Sequence, residues 1–157
     1  MSKNKENPEI GKLFEMSVMK WLSDNYPEKI FNNDKLIAIG TPRKDKKFDI
    51  VSSDNLIVIE CKCYTWTETG NVPSAKMGFV NEAVFYLSFI NVINPDAKTY
   101  VVMKKSISTE RKQSESLASY YYRTYSHLLG KTKIIEYDDI NETMKDIETG
   151  CNFILET

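Results

Sequence analysis

The segment from Leu56 to Cys63 reads LIVIECKC and constrains the fold more than any other part of the chain. It opens with four consecutive apolar residues, so both faces of the segment are apolar. This is typical of a strand inside a sheet that is covered by helices on both sides. Glu60 and Lys62 interrupt the run, and charged side chains in such a strand are costly unless they are paired or functional. The segment therefore predicts a central strand that carries functional charges.

A second β-type run, Lys47 to Val51, precedes this strand, and the turn-forming stretch SSDN separates the two. A two-residue turn at Asp54 and Asn55 gives a hairpin register in which Asp49 lies directly opposite Glu60. Directly opposed side chains share a face, with Cβ atoms roughly 4.5 to 5.5 Å apart. Lys62 shares the face of Glu60 because side chains alternate along a strand. The same register puts Lys47 opposite Lys62, so we expect that end of the hairpin to fray.

The rest of the chain shows an alternation of helical and strand patterns. Apolar residues at three- and four-residue steps predict helices over 8–25, 74–93 and 115–129. Further strands are predicted at 35–40, 99–103 and 133–137, and the tail after Asn141 suggests a short helix and a strand at 152–155. The order is an αβββαβ core of Gly11 to Met103 followed by an extra αβ. It predicts an α/β fold with a mixed central sheet flanked by helices.

Composition limits the class of protein. The 157 residues suit one domain, of which residues 1–8 are expected to be a flexible tail. The formal net charge is -1, so no global basic field is expected and a nucleic-acid site must be a local patch. Three cysteines without a secretory signal favour a cytoplasmic protein. Since no apolar run approaches roughly 20 residues, membrane association is not expected.

The hairpin predicts a metal site. Two carboxylates as close as those of Asp49 and Glu60 repel each other unless a cation neutralises them, and paired oxygen ligands suit Mg²⁺, with Mn²⁺ as a substitute. The backbone carbonyl of Cys61 is a further candidate ligand. The Lys62 ammonium is placed to orient or deprotonate an attacking water, or to stabilise negative charge on a phosphate. This combination predicts metal-assisted phosphodiester hydrolysis.

The stretch KFDIVSSDNLIVIECK resembles the motif of the PD-(D/E)XK nuclease superfamily, the fold of many restriction endonucleases and Holliday-junction resolvases. The resemblance implies that Asp49 and Glu60 bind metal and that Lys62 assists the nucleophile. It also implies that Glu15, on the first helix, is the additional acidic residue that members often place near the metal. Phe48 stands where the family name has proline, a position at which members often lack it.

Two groups of residues are candidate contacts for a nucleic acid. Arg43, Lys44 and Lys46 form a basic loop just before Asp49 and are expected to hold the phosphate backbone. Ser74 and Lys76 open a helix whose N-terminus attracts anions. The alternatives are a loop that is simply solvated and an ordinary helix cap.

These features support one leading hypothesis and leave others open. The leading hypothesis is a Mg²⁺-dependent endonuclease that acts on DNA, with restriction-type cleavage as the main subclass. Because one small chain carries one site and cutting both strands takes two, a homodimer is expected. The alternatives are a resolvase-like or toxin-type nuclease acting on structured DNA or RNA, and a non-catalytic nucleic-acid-binding subunit with the same fold.

Overall fold

A computed structural model describes residues 3–111 and 114–156, with side chains from residue 8 onward. It contains three α-helices and six β-strands, joined by short turns and by two longer connections, one after β3 and one after β4. In chain order these are α1 Lys3–Asn25, β1 Phe31–Ile39, β2 Lys44–Ser52, β3 Ile57–Lys62, α2 Ser74–Ile93, β4 Lys98–Lys104, α3 Leu117–Tyr125, β5 Lys133–Asp138 and β6 Thr143–Asp146. A 3-10 turn at Ser126–Leu128 follows α3.

The strands form one mixed sheet in the order β1-β2-β3-β4-β5-β6. β3, β4 and β5 are parallel to one another, whereas β2 is antiparallel to both β1 and β3, and β6 is antiparallel to β5. The predicted α/β class, with helices flanking a mixed sheet, is confirmed. β3 lies inside the sheet, as its apolar sequence predicts. Over the described residues, no helix is both long and apolar enough to cross a membrane.

Three details differ from the predicted elements. α1 begins at Lys3, inside the segment predicted as a tail, because polar residues extend a helix without adding to its apolar periodicity. The tail after Asn141 forms β6 instead of a short helix, with Met144 and Asp146 buried in alternation. Where a strand was predicted at 152–155, only an isolated bridge between Lys145 and Asn152 is present.

Two apolar layers explain the sequence of β3. Val58 packs in the layer beneath α2 and α3, whereas Ile57 and Ile59 pack in the layer beneath α1. A strand that is buried on both faces needs apolar residues at successive positions, and this produces the continuous run. Glu60 follows Val58 by two residues and is itself buried. The layers therefore enclose the carboxylate that the hairpin places near Asp49.

Candidate metal centre

β2 changes face at Asp49. Phe48 packs in the layer beneath α2 and Ile50 in the layer beneath α1, although residues two apart in a regular strand share a face. Across from Asp49, β1 is irregular at Asp34, whose φ of 54° lies in the left-handed region. Asp tolerates this conformation better than most residues. The two strands thus kink at the same level, and each presents an aspartate there.

Three carboxylates converge at this kink. Glu15, Asp34 and Asp49 each offer an oxygen within 4.8 Å of the others. Glu15 reaches the cluster from α1, where the neighbouring apolar residues pack on the sheet and leave it only 8% exposed. Burial raises the pKa of Glu15, and the charge of Asp49 raises it further. The Lys12 ammonium lies 3.2 Å from Glu15 and 3.0 Å from Asp34, which offsets part of the negative charge.

Asp49 is held by β3. Its Oδ2 accepts a hydrogen bond from the backbone N–H of Cys61 at 2.8 Å. The pairs Ile50–Ile59 and Val51–Val58 have the register that the sequence predicts, and the ladder between β2 and β3 ends there, one residue before Asp49 and Glu60. The register prediction is therefore confirmed for these two pairs, whereas Asp49 meets Glu60 through side-chain contact and is oriented by the N–H of Cys61.

The turn between these strands is longer than predicted. β2 ends at Ser52 and β3 begins at Ile57, so four residues connect them, with Asn55 at a positive φ of 61°. The Ser52 hydroxyl accepts the N–H of Ile57 at 2.9 Å and donates to Asp54 at 2.7 Å. These side-chain hydrogen bonds take the place of a further pair of backbone hydrogen bonds at the end of the hairpin. The ladder between β2 and β3 ends at Ile50–Ile59, so Lys47 does not pair with Lys62, and it pairs instead with Leu36 of β1.

Glu60 has a lysine partner that the sequence placed in a loop. Lys46 belongs to β2, because the first half of that strand pairs with β1, and its Nζ lies 3.3 Å from Oε1 of Glu60. The same ammonium lies over the rings of Phe48 and Tyr86, at 4.9 and 4.8 Å from their centroids. Glu60 is 5% exposed. Burial and the adjacent Asp49 carboxyl raise its pKa to about 8, against the lowering effect of Lys46 and Lys62.

Lys62 ends β3 and is half-buried. It lines a cleft of about 510 Å³ that also contains Cys61 and Lys76. It is near enough to Glu60 to lower the pKa of that carboxyl, which places its positive charge beside the acidic groups. Burial, followed by the charge of Asp49, raises the pKa of the Cys61 thiol well above its usual value. The thiolate form, which binds metals, is therefore disfavoured.

The remaining predicted contacts lie around the site. Arg43 and Lys44 are exposed near the start of β2, and Arg43 donates to the carbonyl of Ala38 at 3.1 Å. Ser74 is the first residue of α2, and the capping position belongs to Pro73, which provides no side-chain hydrogen bond. The first turn of α2 contains no acidic residue. This end of the helix thus offers Lys76 to the cleft without a competing carboxylate.

The sequence analysis missed Asp34. It begins the strand at Lys35, because the preceding Asn-Asn-Asp is unfavourable for β structure. The same three residues are the ones that tolerate positive φ, and they were the available signal for a kinked strand. Asp34 joins Asp49 and Glu15, whereas Glu60 approaches the cluster through Asp49. The structure thus brings three carboxylates, two predicted and one newly found, around that of Asp49.

Two solved structures resemble this fold. One is an FdxN element excision controlling factor protein from Anabaena variabilis, with a TM-score of 0.50, 15% identity, and 85% of this chain and 95% of that chain covered. The other is an XisH family protein from Nostoc punctiforme, with a TM-score of 0.49, 16% identity, and coverage of 83% and 94%. No protein-family model matches the chain, and no curated protein matches its sequence. The similarity to the Anabaena protein is one of fold alone.

Proposed function

We propose that this protein is a Mg²⁺-dependent nuclease of the PD-(D/E)XK type that hydrolyses phosphodiester bonds, with DNA as the substrate and restriction-type cleavage as the main subclass. The observation that carries the proposal is the position of Asp49. Its carboxylate lies within 4.8 Å of Glu15 and Asp34, and it contacts Glu60, two residues before the lysine that lines the cleft. The KFDIVSSDNLIVIECK motif supports the same assignment.

The donor set fits Mg²⁺. Mg²⁺ binds oxygen at about 2.0–2.1 Å, so ligands on opposite sides of one ion lie up to about 4.2 Å apart. The oxygens of Glu15, Asp34 and Asp49 are within 4.8 Å of one another, so a small side-chain adjustment brings them to that spacing. Acidic groups this close repel one another, and a divalent cation relieves the repulsion. The thiols of Cys61 and Cys63 are not needed in this set.

Each residue has a role that follows from its contacts. The Cys61 N–H holds Asp49, and Lys46 holds one oxygen of Glu60, so both carboxylates are oriented before a ligand arrives. Bound Mg²⁺ would supply Lewis-acid polarisation of the phosphate and of water. Lys62 is placed in the cleft to orient the water and to stabilise charge that develops on the phosphate oxygens. Arg43, Lys44 and Lys76 are proposed to contact the phosphate backbone.

The choice of DNA as the substrate rests on a likeness of fold. The Anabaena protein with the same fold is described as a factor that controls element excision. Because fold does not imply function, this likeness serves only as an analogy, and the chemistry of the site applies to RNA as well. We also propose a homodimer, since cutting both strands of a duplex requires two sites. Light scattering on the purified protein measures its mass in solution and tests that state.

Cleavage assays test the proposal. We expect purified protein with Mg²⁺ or Mn²⁺ to cut plasmid DNA, and EDTA to abolish the cut. Asp49→Asn and Lys62→Met should each reduce the rate by roughly a hundredfold or more, since general acid–base and electrostatic groups contribute on this scale. Glu82→Gln, an exposed acid on α2, is the control and should cut normally. The proposal fails if DNA and RNA panels are left intact, or if all variants cut equally.

One observation favours a second candidate, a non-catalytic nucleic-acid-binding subunit. Lys46 already pairs with Glu60, and Lys12 already bridges Glu15 and Asp34, so two lysines compensate the acidic groups without a metal ion. Calorimetric titration with Mn²⁺ separates the two functions. The nuclease requires heat of binding that Asp49→Asn abolishes, whereas a binding subunit gives no metal-dependent heat and still retains nucleic acid.

A further inference from the structure

A cleft of about 510 Å³ opens beside Lys62, at the end of β3. Its walls come from the first half of α1, the loop that follows β3, and Pro73 and Lys76 at the start of α2. It also reaches Cys61, whose N–H holds Asp49. Any ligand in this cleft therefore lies next to the candidate metal centre.

Tyr64 gives the cleft an aromatic wall. Its ring is half-buried, and the ring of Phe79 lies behind it at a centroid distance of 6.5 Å. The ammonium of Lys76 lies 5.3 Å from the centroid of Tyr64 and 5.6 Å from that of Phe79. An aromatic surface and a positive charge are thus adjacent on one side of the cleft.

These features match the chemistry of one unpaired nucleotide. Bases stack on aromatic side chains and phosphates pair with lysine, and the two together are typical of sites for single-stranded nucleic acid. Lys62 and Lys76 line the cleft with Glu68 as the acidic residue among its walls. The bases of a duplex already stack on each other, so their faces cannot reach Tyr64. The cleft volume is in the range of small-molecule sites, which admits single nucleotides and not a double helix.

We propose that this cleft binds an unpaired nucleotide strand by stacking a base on Tyr64 and pairing phosphates with Lys62 and Lys76. The consequence for cleavage rests on the proposed nuclease function: the preferred substrate is then single-stranded or locally unpaired nucleic acid, which replaces the intact duplex of restriction-type cleavage. Binding itself does not depend on that function. DNA and RNA strands share the recognised chemistry, and the choice between them is left to the measurement.

Fluorescence anisotropy in EDTA measures binding apart from cleavage. The probes are a labelled single-stranded oligodeoxynucleotide, the same strand annealed into a blunt duplex, and a ribo-oligonucleotide of the same sequence. We expect the wild type to bind one of the single strands at least about tenfold more tightly than the duplex. Tyr64→Leu should weaken that binding about fivefold or more, the lower end of base–aromatic stacking. Tyr64→Phe keeps the ring and should stay within about twofold, on the same scale of stacking.

Tyr122→Leu is the matched control, because Tyr122 is also half-buried and packs against the same apolar layer, but on α3 and outside the cleft. Lys76→Met provides a second variant, which removes the ammonium that lies over Tyr64 and keeps a side chain of similar length. Lys76→Met should make the negative slope of log affinity against log salt concentration shallower by about 0.7, the value for one phosphate contact on a single strand. Lys131→Met, a lysine elsewhere on the surface, should leave the slope unchanged.

The inference is overturned if the duplex binds as tightly as the tighter-binding single strand, or if Tyr64→Leu matches Tyr122→Leu and Lys76→Met matches Lys131→Met. Its failure is distinguishable from that of the nuclease. If the single strand binds but is not cut in Mg²⁺ or Mn²⁺, the proposal for the cleft stands and the nuclease proposal is rejected. If the protein cuts a duplex in a metal-dependent way, and neither Tyr64→Leu nor Lys76→Met changes the rate, the proposal for the cleft is rejected and the nuclease proposal stands.

Discussion

Lys46 and Glu60 form an ion pair across β2 and β3, with Nζ 3.3 Å from Oε1. The lysine also lies against two aromatic rings, one from its own strand and one from α2. These contacts fix the ammonium at the edge of the core, where it compensates a carboxylate that is almost fully buried. One oxygen of Glu60 is thereby committed to the protein. Lys46 is thus the group that compensates Glu60 when this carboxyl ionises inside the central strand.

Replacing Lys46 should destabilise the protein through Glu60. At a pH above about 8, where Glu60 is ionised, Lys46→Met leaves a buried carboxylate without its partner, and we expect the free energy of unfolding to fall by about 1–2 kcal/mol, below the full cost of a buried pair because Lys46 is partly exposed. Urea unfolding measures the change. In the Lys46→Met/Glu60→Gln double variant the loss should be much smaller than the sum of the single losses. Lys44→Met, an exposed lysine on the same strand, is the control, and equal effects at the two lysines would contradict this interpretation.

Glu60 should also give the metal-free protein a specific pH dependence. Burial raises its pKa in the folded protein to about 8, from the ordinary value of 4.5 for this carboxyl. A raised carboxyl pKa contributes stability below pH 4.5, and that contribution is lost as pH rises toward 8. We therefore expect the melting temperature in EDTA to fall over this window and the fall to be smaller in Glu60→Gln. Glu82→Gln is the control, and its melting temperature should follow the wild-type pH profile. If Glu60→Gln follows the wild-type profile as well, Glu60 is not the source of the pH dependence.

Asp34 should contribute to metal binding as strongly as a predicted ligand. It shares the three-carboxylate cluster with Glu15 and Asp49, so Asp34→Asn should weaken Mn²⁺ binding by at least about tenfold, the scale seen when groups around a metal are altered. Calorimetry measures the affinity. Asp45→Asn changes an exposed aspartate on β2 outside this cluster and should leave the affinity unchanged. Metal binding by Asp34→Asn at wild-type strength would remove Asp34 from the site.

Lys62 should affect turnover more than metal affinity. Its ammonium lines the cleft and donates no lone pair to a cation, so Lys62→Met should lower kcat by roughly a hundredfold while Mn²⁺ binds with similar or greater strength. Lys104→Met is the matched control, because Lys104 ends the neighbouring strand β4 and is also partly exposed. Cleavage kinetics and calorimetry on the same preparations give both quantities. A parallel loss of metal binding and kcat would mean that Lys62 shapes the site and does not act on the substrate.

The sequence by itself determined the helices, the central strand and the register of the hairpin at Ile50–Ile59 and Val51–Val58. These features follow from apolar periodicity and from turn residues, which act over a few neighbouring positions. The same local rules identified Asp49, Glu60 and Lys62 as one group. They also placed Glu15 beside the apolar stripe of α1, although its role came from resemblance to a family.

Only the tertiary structure decided how the acidic residues meet. Asp34 reaches Asp49 because β1 and β2 pair along their whole length and kink together, a contact between distant parts of the chain that no local pattern encodes. For the same reason Lys46 lies in β2 and not in the predicted loop. Pairing with β1 extends β2 to include this lysine, whose side chain contacts Glu60. The burial that shifts the pKa of Glu60 likewise arises from the packing of α2 and its neighbours on the sheet, which depends on the whole fold.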